Sequence, residues 1–404
     1  MSSLYDAIGY FTEEKRIMSC LSVTCGTADT EHHALRGVAD RAGTPIHEDS
    51  IYDLASLTKL FTGLAVMRLR EEGKLDLSRP VTEYAPQFGR LAGVTVDQVL
   101  GFEVALITPQ RVDAQPDVAS GLRQLFAMEA RPVTGRAYSD MHAMALKYVI
   151  EGAAGESYMQ VLRRCILKPL GMGNTFAHVP QERLKDCICY DGEHRIEGEK
   201  WIVRTGIAPG TPHDPKAHLL MQEGDVCGHA GLFSTRGDMV RLCQGVLKEK
   251  IISRESLRYM ARNRTGRPLP EGGWTQFLGC QCYVKHPEQY FSEIPLYMSN
   301  EAIGLSGFTG HHVAIDPQVG VFTLFLGNRV MDRLTVLVPE RGRCRGDYGL
   351  AEDGSGQVRW TDGCQRFSSV DYVHQKDAKL HAPIGELLRL PHWRPAGNEW
   401  PSCP

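Results

Sequence analysis

The chain has 404 residues, 42% of them hydrophobic, with 45 basic and 48 acidic side chains and a formal net charge of −3. That length allows one large domain or two with an ample core, and the charge balance gives no electrostatic case for nucleic acid or an anionic membrane as partner. No apolar run is long enough to span a bilayer, and residues 1–16 lack a basic stretch followed by an apolar core, so the expectation is a cytoplasmic protein. The twelve cysteines include two close pairs, Cys187/Cys189 and Cys280/Cys282, but neither has the two-residue gap of a zinc knuckle. They read as reduced, buried thiols, with no metal and no cofactor.

In chain order, residues 4–15 form a short helix that offers Tyr5, Ile8, Tyr10 and Phe11 for packing. Residues 18–25 are rich in strand formers, and 34–39 make a partner strand after a polar turn. Residues 51–73 hold Leu57, Leu60, Phe61, Leu64, Ala65 and Leu69 at helical spacing, closed by Glu71, Glu72 and Gly73. From about 76 to 290 the texture is helical segments with long polar connections. Residues 313–315 and 321–326 are apolar and β-rich, joined by a turn at Asp316-Pro317. Residues 341–364 read as a polar surface loop or hairpin, and 372–390 as a closing helix interrupted at Pro383 and Gly385. This gives an α/β protein. A sheet domain is expected from residues 1–75 and 291–404, a mainly helical domain from 76–290, and a cleft between the two.

A helix starting near Ser56 sets Lys59 one turn later on the same face, within reach of the serine hydroxyl. A serine becomes a useful nucleophile when a neighbour removes its proton, and a partly buried lysine can help. Chance alone gives about one Ser-x-x-Lys match in a chain this long, so the motif needs company. Two later stretches supply it: Tyr138-Ser139-Asp140 at the start of a helix, and Leu305-Ser306-Gly307 at the start of the late β region.

Ser-x-x-Lys, Tyr-x-Asn and Lys-Thr-Gly, in that order, mark the serine β-lactamases and penicillin-binding proteins. The chain resembles the class C branch of that family, which includes related esterases and D-amino-acid peptidases. Framework stretches at 37–40, 53–59, 168–172, 213–214, 228–235 and 328–329 extend the match over about residues 10–335. The resemblance implies a β-lactamase/transpeptidase-like fold, with an antiparallel sheet built from both termini and a helical insertion. It implies Ser56 as nucleophile, Lys59 and Tyr138 as the proton-handling pair, and the backbone N–H groups of Ser56 and Phe308 as the oxyanion hole. Asp140, Leu305, Ser306, Gly307 and His311 are then expected at the substrate. His213, Asp214 and His229 fall in framework loops, where a histidine hydrogen-bonds the backbone.

Three departures shape the functional expectation. Tyr-x-Asn is Tyr-x-Asp, and the Asp140 carboxylate favours the ammonium form of Lys59, which makes Tyr138 the better base. Lys-Thr-Gly, or the His-Thr-Gly of this branch, is Leu305-Ser306-Gly307, so a hydroxyl survives and a cation is lost. The usual His-Thr-Ser-Gly loop is Gly101-Phe102-Glu103-Val104. The expected activity is hydrolysis of a small-molecule ester or amide through acyl-Ser56, esterase-like more than β-lactamase. An acyltransferase of the same fold and a catalytically silent binder of peptides or cell-wall fragments are the alternatives. Oligomeric state is left open.

Overall fold

A computed structural model of the chain describes residues 2–223, 226–288, 293–350, 357–359 and 365–391. Six antiparallel strands form the main sheet: β1 (Cys20–Thr27), β2 (Glu31–Gly37), β3 (Tyr283–Val284), β4 (Ile303–Gly307), β5 (His311–Asp316) and β6 (Val321–Asn328). Their order is β2-β1-β6-β5-β4-β3, so the first strands of the chain pair directly with the late ones. β1 and β6 are buried along nearly their whole length because both faces of the sheet are covered. Phe322, Leu324 and Leu326 face the helical core, while Val321 and Phe325 face a second core with Leu4, Ile8 and Phe11 of the N-terminal segment and Leu380 and Ile384 near the C-terminus.

The nucleophile segment sits in the first of these cores. A 3₁₀ turn at Ala55–Leu57 leads into the Thr58–Glu71 helix, whose residues from Thr58 to Met67 are all buried. The amphipathic face expected from the sequence is thus the most apolar side of a helix enclosed all round. Beside it runs the Asp140–Ala154 helix, started by Ser139, whose hydroxyl accepts from the Met141 N–H, and ended at Gly155 in the left-handed region.

Between 76 and 290, where the sequence reads as helical, the structure adds a β-hairpin, Glu193–Glu197 with Lys200–Arg204. Its first strand is polar and its second holds the apolar run Trp201-Ile202-Val203 between charged ends, so neither shows the alternation that marks a half-buried strand. It joins Arg333–Val338 in parallel, and Gln365–Ser368 and Gln357–Arg359 complete a five-stranded mixed sheet. The closing helix continues through Pro383, because a π-turn at Asp377–His381 precedes the proline and Pro383 enters near the start of the last helical segment. The described cysteines are all free, and only Cys344 is exposed. Among the described residues no helix is long and apolar enough to cross a membrane.

Candidate active site

The segment before the nucleophile is held in a strained shape. Ala55 has φ +46°, a left-handed conformation that a side chain disfavours. Its N–H donates to Asp53 Oδ1 at 3.0 Å, and the Asp53 carbonyl accepts from His311 Nε2 at 2.6 Å and Thr309 Oγ1 at 3.1 Å. These bonds fix the turn that presents Ser56. The Lys59 ammonium is fully buried and donates to Ser56 Oγ at 2.8 Å, Asp140 Oδ1 at 2.7 Å and the His229 carbonyl at 3.4 Å. Burial pushes Lys59 down, yet the Asp140 charge and the Tyr138 phenol outweigh it, and the net shift is upward. An ammonium with all three protons placed cannot accept one from Ser56.

Tyr138 lines the same cleft as Ser56. Lys59 Nζ lies 4.9 Å from its ring centroid, and the ring is sandwiched between Phe102 at 5.5 Å and Tyr283 at 5.4 Å, both stacked. The altered loop therefore has a use: Phe102, itself at φ +59°, is a shelf for Tyr138.

Behind Asp140 lies a second charge cluster. Lys216 Nζ is 3.0 Å from Asp140 Oδ2, and His229 Nε2 is 2.8 Å from Asp214 Oδ1. Burial raises the Asp140 pKa, but Lys59, His229 and Lys216 together hold it well below the usual carboxylate range. Asp140, Asp214 and His229 bring three potential metal ligands close together. Lys59 and Lys216 already occupy both Asp140 oxygens, so the cluster is arranged as an ion-pair network.

The facing wall is strand β4, whose Leu305–Gly307 end runs past the short edge strand β3. Gly307 is required there, since a Cβ would lie 2.9 Å from the Leu54 carbonyl. That close approach sets the N–H of Phe308 beside the Ser56 turn, and among the described residues neither the Ser56 nor the Phe308 N–H is engaged by a carbonyl. Ser306 faces the cleft. Two expectations fail here. Leu305 is fully buried in the main core and does not reach the cleft. His311 is fully buried as well: its Nε2 holds the Asp53 carbonyl and its Nδ1 accepts from the Gly327 N–H, so it braces the nucleophile turn from behind.

Ser56, Tyr138, Asp140, Ser306, Gly307 and Phe308 together line a cleft of about 730 Å³. Its other wall was not legible in the motifs. Arg195 and Arg204 come from the inserted hairpin, and Arg329 follows β6. Arg195 and Arg329 lie 5.6 and 5.1 Å from the Phe308 ring centroid. His213 stacks on the same ring at 5.7 Å and meets Glu193 at 3.1 Å, so the ring of this loop histidine faces the cleft wall and pairs with a carboxylate where a backbone bond was expected. Burial pushes Arg329 down to about 10, its Nη2 donates to the Thr335 carbonyl, and its buried Nε has no partner among the described residues. Phe308 and the matched stretches at 213–214 and 328–329 were the sequence signals for this wall, whereas Arg195 and Arg204 had none.

An antiparallel sheet from both chain ends, with a Ser-x-x-Lys helix, a tyrosine and a glycine-bearing strand converging on one cleft, defines the β-lactamase/transpeptidase-like fold. The chain belongs to the Beta-lactamase family, whose model matches residues 15–335. It is 27% identical over 311 residues to a Salmonella typhi protein named "Putative D-alanyl-D-alanine carboxypeptidase", covering 70% of each. In structure it is similar to EstCE1, a hydrolase with promiscuous acyltransferase activity (TM-score 0.64, 20% identity, 81% of this chain and 93% of that one). It is also similar to a class C β-lactamase from Rhodobacter sphaeroides (TM-score 0.61, 20% identity, 81% and 94%). At these identities the structural likenesses show the fold.

Proposed function

We propose that the chain is a serine hydrolase that cleaves a small-molecule ester or amide through an acyl-Ser56 intermediate. The observation that carries this reading is the 2.8 Å hydrogen bond from Lys59 Nζ to Ser56 Oγ, next to the strained backbone of Ala55. Ser56 Oγ attacks the carbonyl carbon and its proton passes to Tyr138. The N–H groups of Ser56 and Phe308 take the oxyanion. Tyr138 returns the proton to the leaving oxygen or nitrogen, then takes one from the water that attacks the acyl carbon and passes it to Ser56 Oγ as the ester bond breaks. Lys59, held as an ammonium by Asp140, steadies the negative charge that passes through Ser56 and Tyr138.

The esterase-like expectation rested on the cation missing at Leu305, and arginines from elsewhere in the chain line the cleft. Arg204 and Arg329 line the cleft without a carboxylate partner among the described residues. They support a substrate that carries an anionic group, as the carboxylate-terminated peptides named for the Salmonella relatives do. Transfer of the acyl group to an alcohol differs only in the acceptor that reaches acyl-Ser56.

Steady-state turnover of short-chain p-nitrophenyl esters by wild type and Ser56→Ala tests the reading. Loss of turnover in a folded Ser56→Ala protein is expected, since the change removes one hydrogen bond from the Lys59 ammonium, about 1.5–3 kcal/mol. Retained turnover would remove the proposal.

A further inference from the structure

Strand β4 carries Leu305 where relatives of this family carry a lysine or histidine, yet an ammonium is present behind the strand. The C-terminal helix Tyr372–Lys376 lies beyond the family-matched residues and packs Tyr372 and Val373 into the cleft wall. Lys376 Nζ, 1% exposed, lies 2.6 Å from Glu293 Oε2, 3.2 Å from His312 Nδ1 and 3.4 Å from Ser306 Oγ. We propose that Lys376 is a positioning residue for the Ser306 edge of the cleft, and that the Lys376–Glu293 pair sets which substrate charge that edge accepts. This inference rests on the serine-hydrolase reading above.

A buried ammonium costs several kcal/mol unless its protons are placed, and here Glu293 Oε2 and Ser306 Oγ can both accept from it. Burial and Lys376 push His312 down to about 4, and its Nδ1 lies 3.2 Å from both Lys376 Nζ and Glu293 Oε2. Glu293 Oε2 takes both the Lys376 ammonium and, at 2.5 Å, the Ser306 hydroxyl proton. Glu293 and Ser306 line the cleft, whereas Lys376 does not. The cleft therefore meets a carboxylate whose charge is offset from behind. Without Lys376 the edge presents a bare anion next to Ser306. Without the Glu293 charge it presents a bare cation, and the Ser306 proton is released toward the substrate. The two changes act with opposite sign on a leaving group that carries a carboxylate, which a purely structural role for the pair would not produce.

The test compares kcat/KM for 3-acetoxybenzoate, whose leaving group is anionic, with phenyl acetate, whose leaving group lacks the carboxylate. Lys376→Met is expected to lower the anionic-to-neutral ratio at least tenfold, and Glu293→Gln to raise it at least fivefold. Ratios within twofold of wild type, or shifts in the same direction, would overturn the inference. Glu293→Gln decides alone if Lys376→Met does not fold, because the glutamine carbonyl still accepts from the buried ammonium. A wild-type protein with no Ser56-dependent turnover of either ester would instead overturn the serine-hydrolase reading, and this inference with it.

Discussion

Lys59 and Asp140 are 81 residues apart in the chain, and the 2.7 Å ion pair between them opposes the effect of burial on Lys59 and favours its ammonium form. The Ser56–Lys59 contact follows from one turn of helix and was legible in four residues. The direction of Lys59's charge was legible too, because Tyr-x-Asp put a carboxylate where an amide was expected. Two consequences can be measured. Tyr138→Phe is expected to lower kcat by about two orders of magnitude or more, the usual scale for general acid–base catalysis, with Lys59→Ala comparably damaging; a Tyr138→Phe enzyme within threefold of wild type would shift the base to another group. Asp140→Asn bears on pH. Asp140 raises Lys59, so the ammonium persists to higher pH than in a free lysine. With asparagine there, burial lowers Lys59 without that opposing charge, and the alkaline limb of kcat/KM is expected to move to lower pH. An alkaline limb that stays in place would show that activity does not depend on the Lys59 charge.

Single elements carry more of the site than their motifs suggest. On β4 the alternation of side chains sends Leu305 into the core and Ser306 toward the cleft, so reading Leu305 as a lost substrate contact missed which face it occupies. His311 was misplaced for a related reason, since a position just past a motif does not reveal which way its ring turns. Gly307→Ala would put a methyl group 2.9 Å from the Leu54 carbonyl, forcing β4 away from the Ser56 turn. A kcat loss of about 100-fold, the scale of a lost oxyanion donor, is expected together with a lower thermal midpoint, because the clash is with backbone; unchanged kcat would detach the Phe308 N–H from the reaction. The C-terminal helix is equally integral. Leu380 is fully buried against the sheet face opposite the active site, and Leu380→Ala is expected to destabilise by about 2–5 kcal/mol in urea unfolding. A cost under about 1 kcal/mol would mean that this helix is only loosely docked.

At the scale of the whole molecule, the sequence reading found the sheet because its strands are continuous apolar runs at both ends of the chain. It missed the mixed second sheet because Glu193–Glu197 and Lys200–Arg204 lack apolar alternation and their partner, Arg333–Val338, lies more than 100 residues away. That hairpin delivers Arg195 and Arg204 to the cleft, and charge complementarity assembled from such distant segments has no local signature. The cleft thus combines a nucleophile legible from spacing with a cationic wall visible only in three dimensions. The central claim is that Ser56 is the acylated nucleophile, and intact mass spectrometry after treatment with a fluorophosphonate probe tests it most directly. The account predicts one adduct per chain, mapped to Ser56 and absent from Ser56→Ala; an unlabelled folded wild type, or equal labelling of Ser56→Ala, would contradict it.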